Sequence, residues 1–227
     1  MEPRLKIIAR IHTDFQEKFG IPRQSGLVDG LRARVIFEPQ YRDANAFRGL
    51  EDYSHVWLLW LFSEAVCEEW LPMVHPPRLG GNTRMGVFAT RSPYRPNPIG
   101  LSSVKLEAVE FSERDGPVLV VSGADLLDGT PILDVKPYLA YTDSHPDAVG
   151  GFADRFRDYR LQVEVPPALL EQVPADKREA LLGVLAQDPR PSYQNDPTRR
   201  YGFRFAGFDV RFRVDGDHLT VCEVEKL

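Results

Sequence analysis

Along most of the chain, apolar and polar positions follow the two-residue alternation of a half-buried strand. Leu31, Ala33, Val35 and Phe37 alternate with Arg32, Arg34 and Ile36, which predicts a strand over 31–37 with one apolar face. Residues 5–11 form a shorter apolar-rich run. Residues 55–62 are almost continuously apolar and rich in Trp and Leu, which predicts a strand covered on both faces. Further strands are expected over 85–90, 100–111 and 118–123; in the second, Val104, Leu106 and Ala108 alternate with Lys105 and Glu107. Short strands punctuated by Gly and Pro predict a barrel or sandwich rather than repeated βαβ units.

The pattern changes in the polar stretch 146–158, which contains Gly150-Gly151 and reads as a boundary. Leu161, Val163 and Val165 then resume on one face. Pro166-Pro167 opens a helix to about Ala186, with apolar residues at Leu169, Leu170, Val173, Leu181, Leu182 and Leu185, and Pro174 divides it. Residues 201–225 read as a hairpin turned at Asp215-Gly216. Its first strand alternates Phe208, Val210, Phe212 and Val214, and its return strand Leu219, Val221 and Glu223. The expected fold is mainly β: a β-rich main domain over 1–147 and a small α+β appendage over 155–227.

Composition narrows the function. The chain has 227 residues, 43% of them hydrophobic and 27% charged, as in an ordinary globular protein. The run 56–62 is far short of the ~20 residues of a membrane span, so no membrane association is expected. The first six residues lack a signal-peptide core, which points to a cytoplasmic protein. Cys67 and Cys222 form no CxxC pair, and five scattered histidines show no ligand spacing; neither a disulfide scaffold nor a metal site is expected. A net charge of −5 argues mildly against nucleic acid when the chain is taken whole.

The average hides a segregated distribution. Residues 70–106 contain no Asp or Glu but carry Arg78, Arg84, Arg91, Arg95 and Lys105. Composition would place roughly five acids there, so the window suggests an anion-binding surface. A buried Pro- and Gly-rich segment is the bland alternative. Within the window, Pro93, Pro96 and Pro98 stiffen a loop bearing Arg91 and Arg95, which would lose little entropy on clamping a carboxylate or phosphate; a rigid corner with internally paired arginines would look the same. Asp125, Asp128 and Asp134 surround a Gly-Thr-Pro turn and suit hydroxyl binding or general base work, or simply turn formation. Lys136 and Tyr138 follow. A second basic stretch, 190–213, holds six arginines against Asp196 and Asp209. No phosphate-binding P-loop or dinucleotide fingerprint is present.

These strings resemble the TsaA-like, or TrmO, family of tRNA methyltransferases. The likeness lies in residues 89–102 (ATRSPYRPNPIGLS), 17–27, 49–57, 76–82, 125–138 and 187–193, and runs through nearly the whole chain in order. The resemblance implies a non-Rossmann β-barrel that binds S-adenosylmethionine, a homodimer, and N6-methylation of threonylcarbamoyl-adenosine at position 37, beside the anticodon of threonine tRNA. It assigns cofactor contacts to Gln24, Ser25, Gly26, Ser63, Glu64, Arg91, Leu101, Asp125, Leu126 and Asp128. The acceptor nitrogen is a poor nucleophile, so proton removal or polarisation is expected of Asp134, Lys136 or Tyr138. Arg84, Arg95, Arg190, Arg199 and Arg200 are the expected contacts to the anticodon stem-loop. The competing readings are a non-catalytic sensor of S-adenosylmethionine or a nucleotide, and a small-molecule methyltransferase.

Overall fold

The structure, a computed structural model, describes residues 5–67, 69–80, 82–190, 194 and 196–227. Six antiparallel strands close a barrel: β1 (Ala9–His12), β2 (Arg32–Phe37), β3 (His55–Leu61), β6 (Ile99–Ser112), β7 (Gly116–Ser122) and β8 (Pro131–Pro137), in the order β1-β2-β7-β6-β3-β8. Closure leaves the barrel without an open edge. Strands β4 (Met73–Val74) and β5 (Met85–Gly86) form a small hairpin outside it.

The inward file follows the alternation. Ala33, Val35 and Phe37 of β2, Val56, Leu58 and Trp60 of β3, and Val104 and Leu106 of β6 are buried in one core with Leu119, Val121 and Ile132. Fully burying a side chain of this size contributes about 1.5–3 kcal/mol. Three expectations need correction. The outer face of β3 (His55, Trp57, Leu59, Leu61) is only half-covered, because it lies on the outside wall of the barrel. A register shift between Leu106 and Ala108 turns Ala108 out of the core file, and Val109 packs on the core instead. The run 85–90 is strand only at β5; a 3-10 turn follows at Val87–Ala89.

Beyond the barrel come α1 (Ala140–Asp143), β9 (Gln162–Glu164), α2 (Pro167–Leu170) and α3 (Ala175–Ala186). Then β10 (Tyr201–Phe205), β11 (Phe208–Asp215) and β12 (His218–Lys226) form a sheet in the order β10-β11-β12-β9, with β9 parallel to β12. Pro174 does divide the helical region, standing at the start of α3. The expected hairpin is a three-stranded meander, because Ala206-Gly207, both with positive φ, make a turn that the aromatic run conceals. A register shift between Arg211 and Phe212 places Val224, not Glu223, in the buried file of β12.

The second core is shared. Ala180, Leu181, Val184 and Leu185 of α3 pack with Phe203, Phe205, Phe212 and Leu219 of the sheet, and with Phe15, Val28 and Leu31 from the segment between β1 and β2. Lys177 ties α3 to Asp14 at 2.6 Å. The segment that fastens the two cores together also carries Arg23 and Gln24 into the candidate site.

Candidate functional site

A cavity of about 510 Å³ opens at one end of the barrel, within the range of small-molecule sites. Its wall is built where β3 ends (Trp60, Leu61, Phe62) and β6 begins (Ile99, Gly100, Leu101). The loop 125–127 before β8, the loop 21–24 and the proline loop complete it.

Three glycines make this close packing possible. Gly26 and Gly123 both adopt left-handed φ, and Gly26 N–H donates to Gly123 O at 2.9 Å, which joins the first loop to the aspartate loop. Gly100 leaves room for the indole of Trp60; a Cβ there would overlap the ring. The proline loop is held from inside, since Arg95 donates to the carbonyls of Thr90 (2.9 Å) and Ser92 (3.3 Å) and lies over the Phe88 ring.

The charged groups are disposed asymmetrically. Arg91 stands exposed at the mouth and donates to the side-chain carbonyl of Gln24. Glu64 is paired with Lys18 at 2.9 Å. Asp125, only partly open to solvent, accepts from Ser102 Oγ at 2.6 Å. Ser102 in turn accepts from the indole Nε1 of Trp60 at 3.0 Å. Burial pushes the Asp125 carboxyl above the usual carboxylate range; the Ser102 hydroxyl, its own backbone N–H, the Arg91 charge and the Ser25 N–H hold it down in part. Nearby Arg23 is lowered by burial and by the adjacent Arg78.

Of the ten residues expected at the cofactor, Gln24, Ser63, Glu64, Arg91, Leu101, Asp125 and Leu126 line the cavity. Ser25 and Gly26 stand behind it, bracing the aspartate loop. Asp128 points elsewhere: its Oδ1 takes the Thr13 N–H at 3.0 Å and faces His12 at 3.3 Å, so it organises a loop.

Asp134, Lys136 and Tyr138 are not brought to the cavity. Strand β8 starts there and runs away, at about 3.3 Å per residue. Asp134 and Lys136 face outward and pair with each other at 2.9 Å. Tyr138 lies at the far end of the barrel, donating its N–H to His55 O and packing on Trp57 at 5.4 Å between centroids. Closeness in sequence does not become closeness in space here, because an extended strand separates its ends by the full length of the barrel.

The basic residues also divide. Arg84, Arg199 and Arg200 are exposed. Arg190 is buried, its guanidinium held by Asp188 at 2.8 and 3.1 Å, which removes it from the surface. In the acid-free window, Arg78 donates to Phe156 O, Arg95 is used within its loop and Lys105 pairs with Glu107. Part of the positive charge is therefore structural. Of the string 187–193, residues 191–193 lie outside the described residues.

Sequence reasoning missed Arg23, Tyr94, Trp60 and Ser102. The first three are shown by no pattern, Trp60 reading simply as core. Ser102 did carry a signal: it is the polar member of the inward file Gly100, Ser102, Val104, Leu106. Among the described residues, no group of His, Cys, Asp or Glu could hold a metal ion, and no helix is long and apolar enough to cross a membrane.

Two family models match: the tRNA-methyltransferase O N-terminal domain over residues 10–144 and the TrmO C-terminal domain over 158–227. A relative from Escherichia coli K12, named tRNA (adenine(37)-N6)-methyltransferase, is 42% identical over 226 residues, covering 96% of each chain. One from Pseudomonas aeruginosa, named "Putative S-adenosylmethionine-dependent methyltransferase RcsF", is 44% identical over 96% of this chain and 95% of its own. The crystal structure of TrmO from the same genus and species superposes with a TM-score of 0.82 at 37% identity, over 100% of this chain and 98% of that one.

Proposed function

The chain belongs to the tRNA-methyltransferase O family, and from that premise we propose that it transfers a methyl group from S-adenosylmethionine to N6 of the adenosine at tRNA position 37. The acceptor we infer is threonylcarbamoyl-adenosine in threonine tRNA. The observation that carries this reading is the end-of-barrel cavity with an exposed Arg91 at its mouth and a partly buried Asp125 in its wall. Such a pair suits a zwitterionic ligand, and Ile21, Leu101 and Leu126 offer apolar surface to a nucleoside.

Bound S-adenosylmethionine supplies an electrophilic methyl group on a sulfonium. Arg91 is suited to grip the cofactor carboxylate with paired N–H donors, Gln24 steadying its guanidinium. The proline loop, stiffened by Arg95, shapes the mouth and limits water. In-line displacement gains much of its rate from holding donor and acceptor in register, which rigid walls of this kind favour. Arg84, Arg199 and Arg200 remain available for phosphates of the anticodon stem-loop, and we assign the barrel to the cofactor and the C-terminal unit to tRNA contact.

Exposed Trp70, Leu71, Met73 and Phe88, with Leu101 at the mouth, form apolar surface of the kind used between subunits, which supports a homodimer. The function is tested by incubating the protein with labelled S-adenosylmethionine and tRNA from cells lacking it, then analysing nucleosides by mass spectrometry. Methylated threonylcarbamoyl-adenosine is expected. Unlabelled RNA would overturn the reading.

A further inference from the structure

Of the two acidic side chains in the cavity wall, Glu64 is neutralised by Lys18, whereas Asp125 makes no salt bridge among the described residues and feels Arg91 only through its field. What fixes Asp125 is a chain of hydrogen bonds through the barrel interior. Trp60 and Ser102 are both buried, Ser102 at 1% exposure. The indole nitrogen can only donate, so its bond to Ser102 Oγ occupies a lone pair of that oxygen. Among the described residues the acceptor within reach of this buried hydroxyl is Asp125 Oδ1, 2.6 Å away, so its hydrogen is directed there. A serine free to rotate could equally accept a proton from a neutral carboxyl; this one is biased to donate to a carboxylate. A buried hydroxyl costs free energy unless partnered, so its presence in an otherwise apolar file calls for a use.

We propose that Ser102, oriented by Trp60, is a positioning residue that keeps Asp125 ionised and aimed into the cavity, where the carboxylate holds a cationic centre of S-adenosylmethionine. The inference rests on the reading of the cavity as the cofactor site. The cation is either the sulfonium or the amino-acid ammonium, and the two are separable because S-adenosylhomocysteine retains only the ammonium. Trp60 adds the further consequence that the relay is built into the barrel wall and does not wait for the ligand.

The test is calorimetric binding of S-adenosylmethionine, S-adenosylhomocysteine and the uncharged nucleoside 5′-methylthioadenosine, across pH, to wild type, Ser102→Ala, Ser102→Thr and Asp125→Asn. Ser102→Ala should weaken S-adenosylmethionine binding about 10-fold, the worth of one charge-assisted hydrogen bond. It should also move the acid limb of binding to higher pH, because the bond that lowers the Asp125 carboxyl is gone. Ser102→Thr should restore both. Asp125→Asn should weaken the charged ligands and abolish the acid limb, while 5′-methylthioadenosine binds every variant alike. Equal loss of both charged ligands identifies the ammonium; selective loss of S-adenosylmethionine identifies the sulfonium. An unmoved acid limb in Ser102→Ala, or equal loss of all three ligands, overturns the inference. Wild type that binds none of the three and methylates no tRNA would instead overturn the underlying function.

Discussion

The indole of Trp60 lies where a Cβ on Gly100 would stand, and its nitrogen reaches Ser102 at 3.0 Å. Gly100 belongs to the proline string and Trp60 to the apolar strand β3, and the two are directly paired across β3 and β6. The small residue is thus required by a large one on the neighbouring strand. Gly100→Ala should displace the ring, destabilise folding by about 1–3 kcal/mol, as overpacking does, and weaken cofactor binding as the relay to Asp125 loosens. Urea unfolding followed by tryptophan fluorescence, with calorimetric titration of S-adenosylmethionine, checks both effects.

A second glycine acts between the two cores. Replacing a mid-helix glycine by alanine normally stabilises a helix by about 1 kcal/mol. At Gly183 of α3 the new Cβ would stand 2.6 Å from Val28 Cγ1, in the segment that also bears Arg23 and Gln24. Gly183→Ala should therefore destabilise, by about 1–3 kcal/mol. Val28→Ala alone should also destabilise, and the double variant should be more stable than the sum of the two predicts. A double-mutant cycle on thermal unfolding measures that coupling.

The alternations over 31–37 and 100–106 specified inward and outward files because a barrel strand has one buried face, and period-two burial is written directly in residue type. The Arg91 and Asp125 strings were visible for the same local reason: stiff turns need Pro and Gly. What sequence could not convey was direction. Asp134 and Tyr138 are near Asp125 along the chain, but β8 carries them to the outer wall and the far end. Arg190 shows the complementary failure. Its charge suggested a surface, while the partner that buries it, Asp188, is two residues away and looks equally exposed in a string of polar residues.

Asp125 makes stability depend on pH. Burial raises its carboxyl above the ordinary range, so the folded state binds this proton more tightly than the unfolded chain. Its contribution to stability is fully present below the unfolded value and is lost as pH rises through the folded value. Asp125→Asn, which keeps an acceptor for Ser102, should therefore unfold at a higher temperature than wild type at about pH 8. The gap should close as pH falls into the usual carboxylate range. Thermal scans without ligand at a series of pH values check the sign; binding of S-adenosylmethionine should be the function lost in exchange.

The arginines separate into two experimental classes. Arg190 and Asp188 are 8% and 12% exposed at their side chains, and the Tyr159 hydroxyl donates to Asp188 at 2.9 Å. Removing one partner of such a pair strands the other charge, at a cost of about 3–5 kcal/mol. Arg190→Met should consequently unfold at lower denaturant concentration. Arg199 and Arg200 are exposed beside β10, and Arg84 lies exposed before β5. Arg199 lies over the Tyr201 ring and Arg84 donates to His75, so neutralising any one of the three should cost at most about 1 kcal/mol in unfolding. It should also reduce the slope of log affinity for tRNA against log salt by roughly one, the signature of a lost phosphate contact. Filter binding of tRNA between about 50 and 200 mM salt, alongside urea unfolding of the same variants, distinguishes the classes. A full-strength salt slope in all three exposed variants would exclude these residues from the RNA surface. A lowered slope in Arg190→Met with unchanged stability would return Arg190 to it.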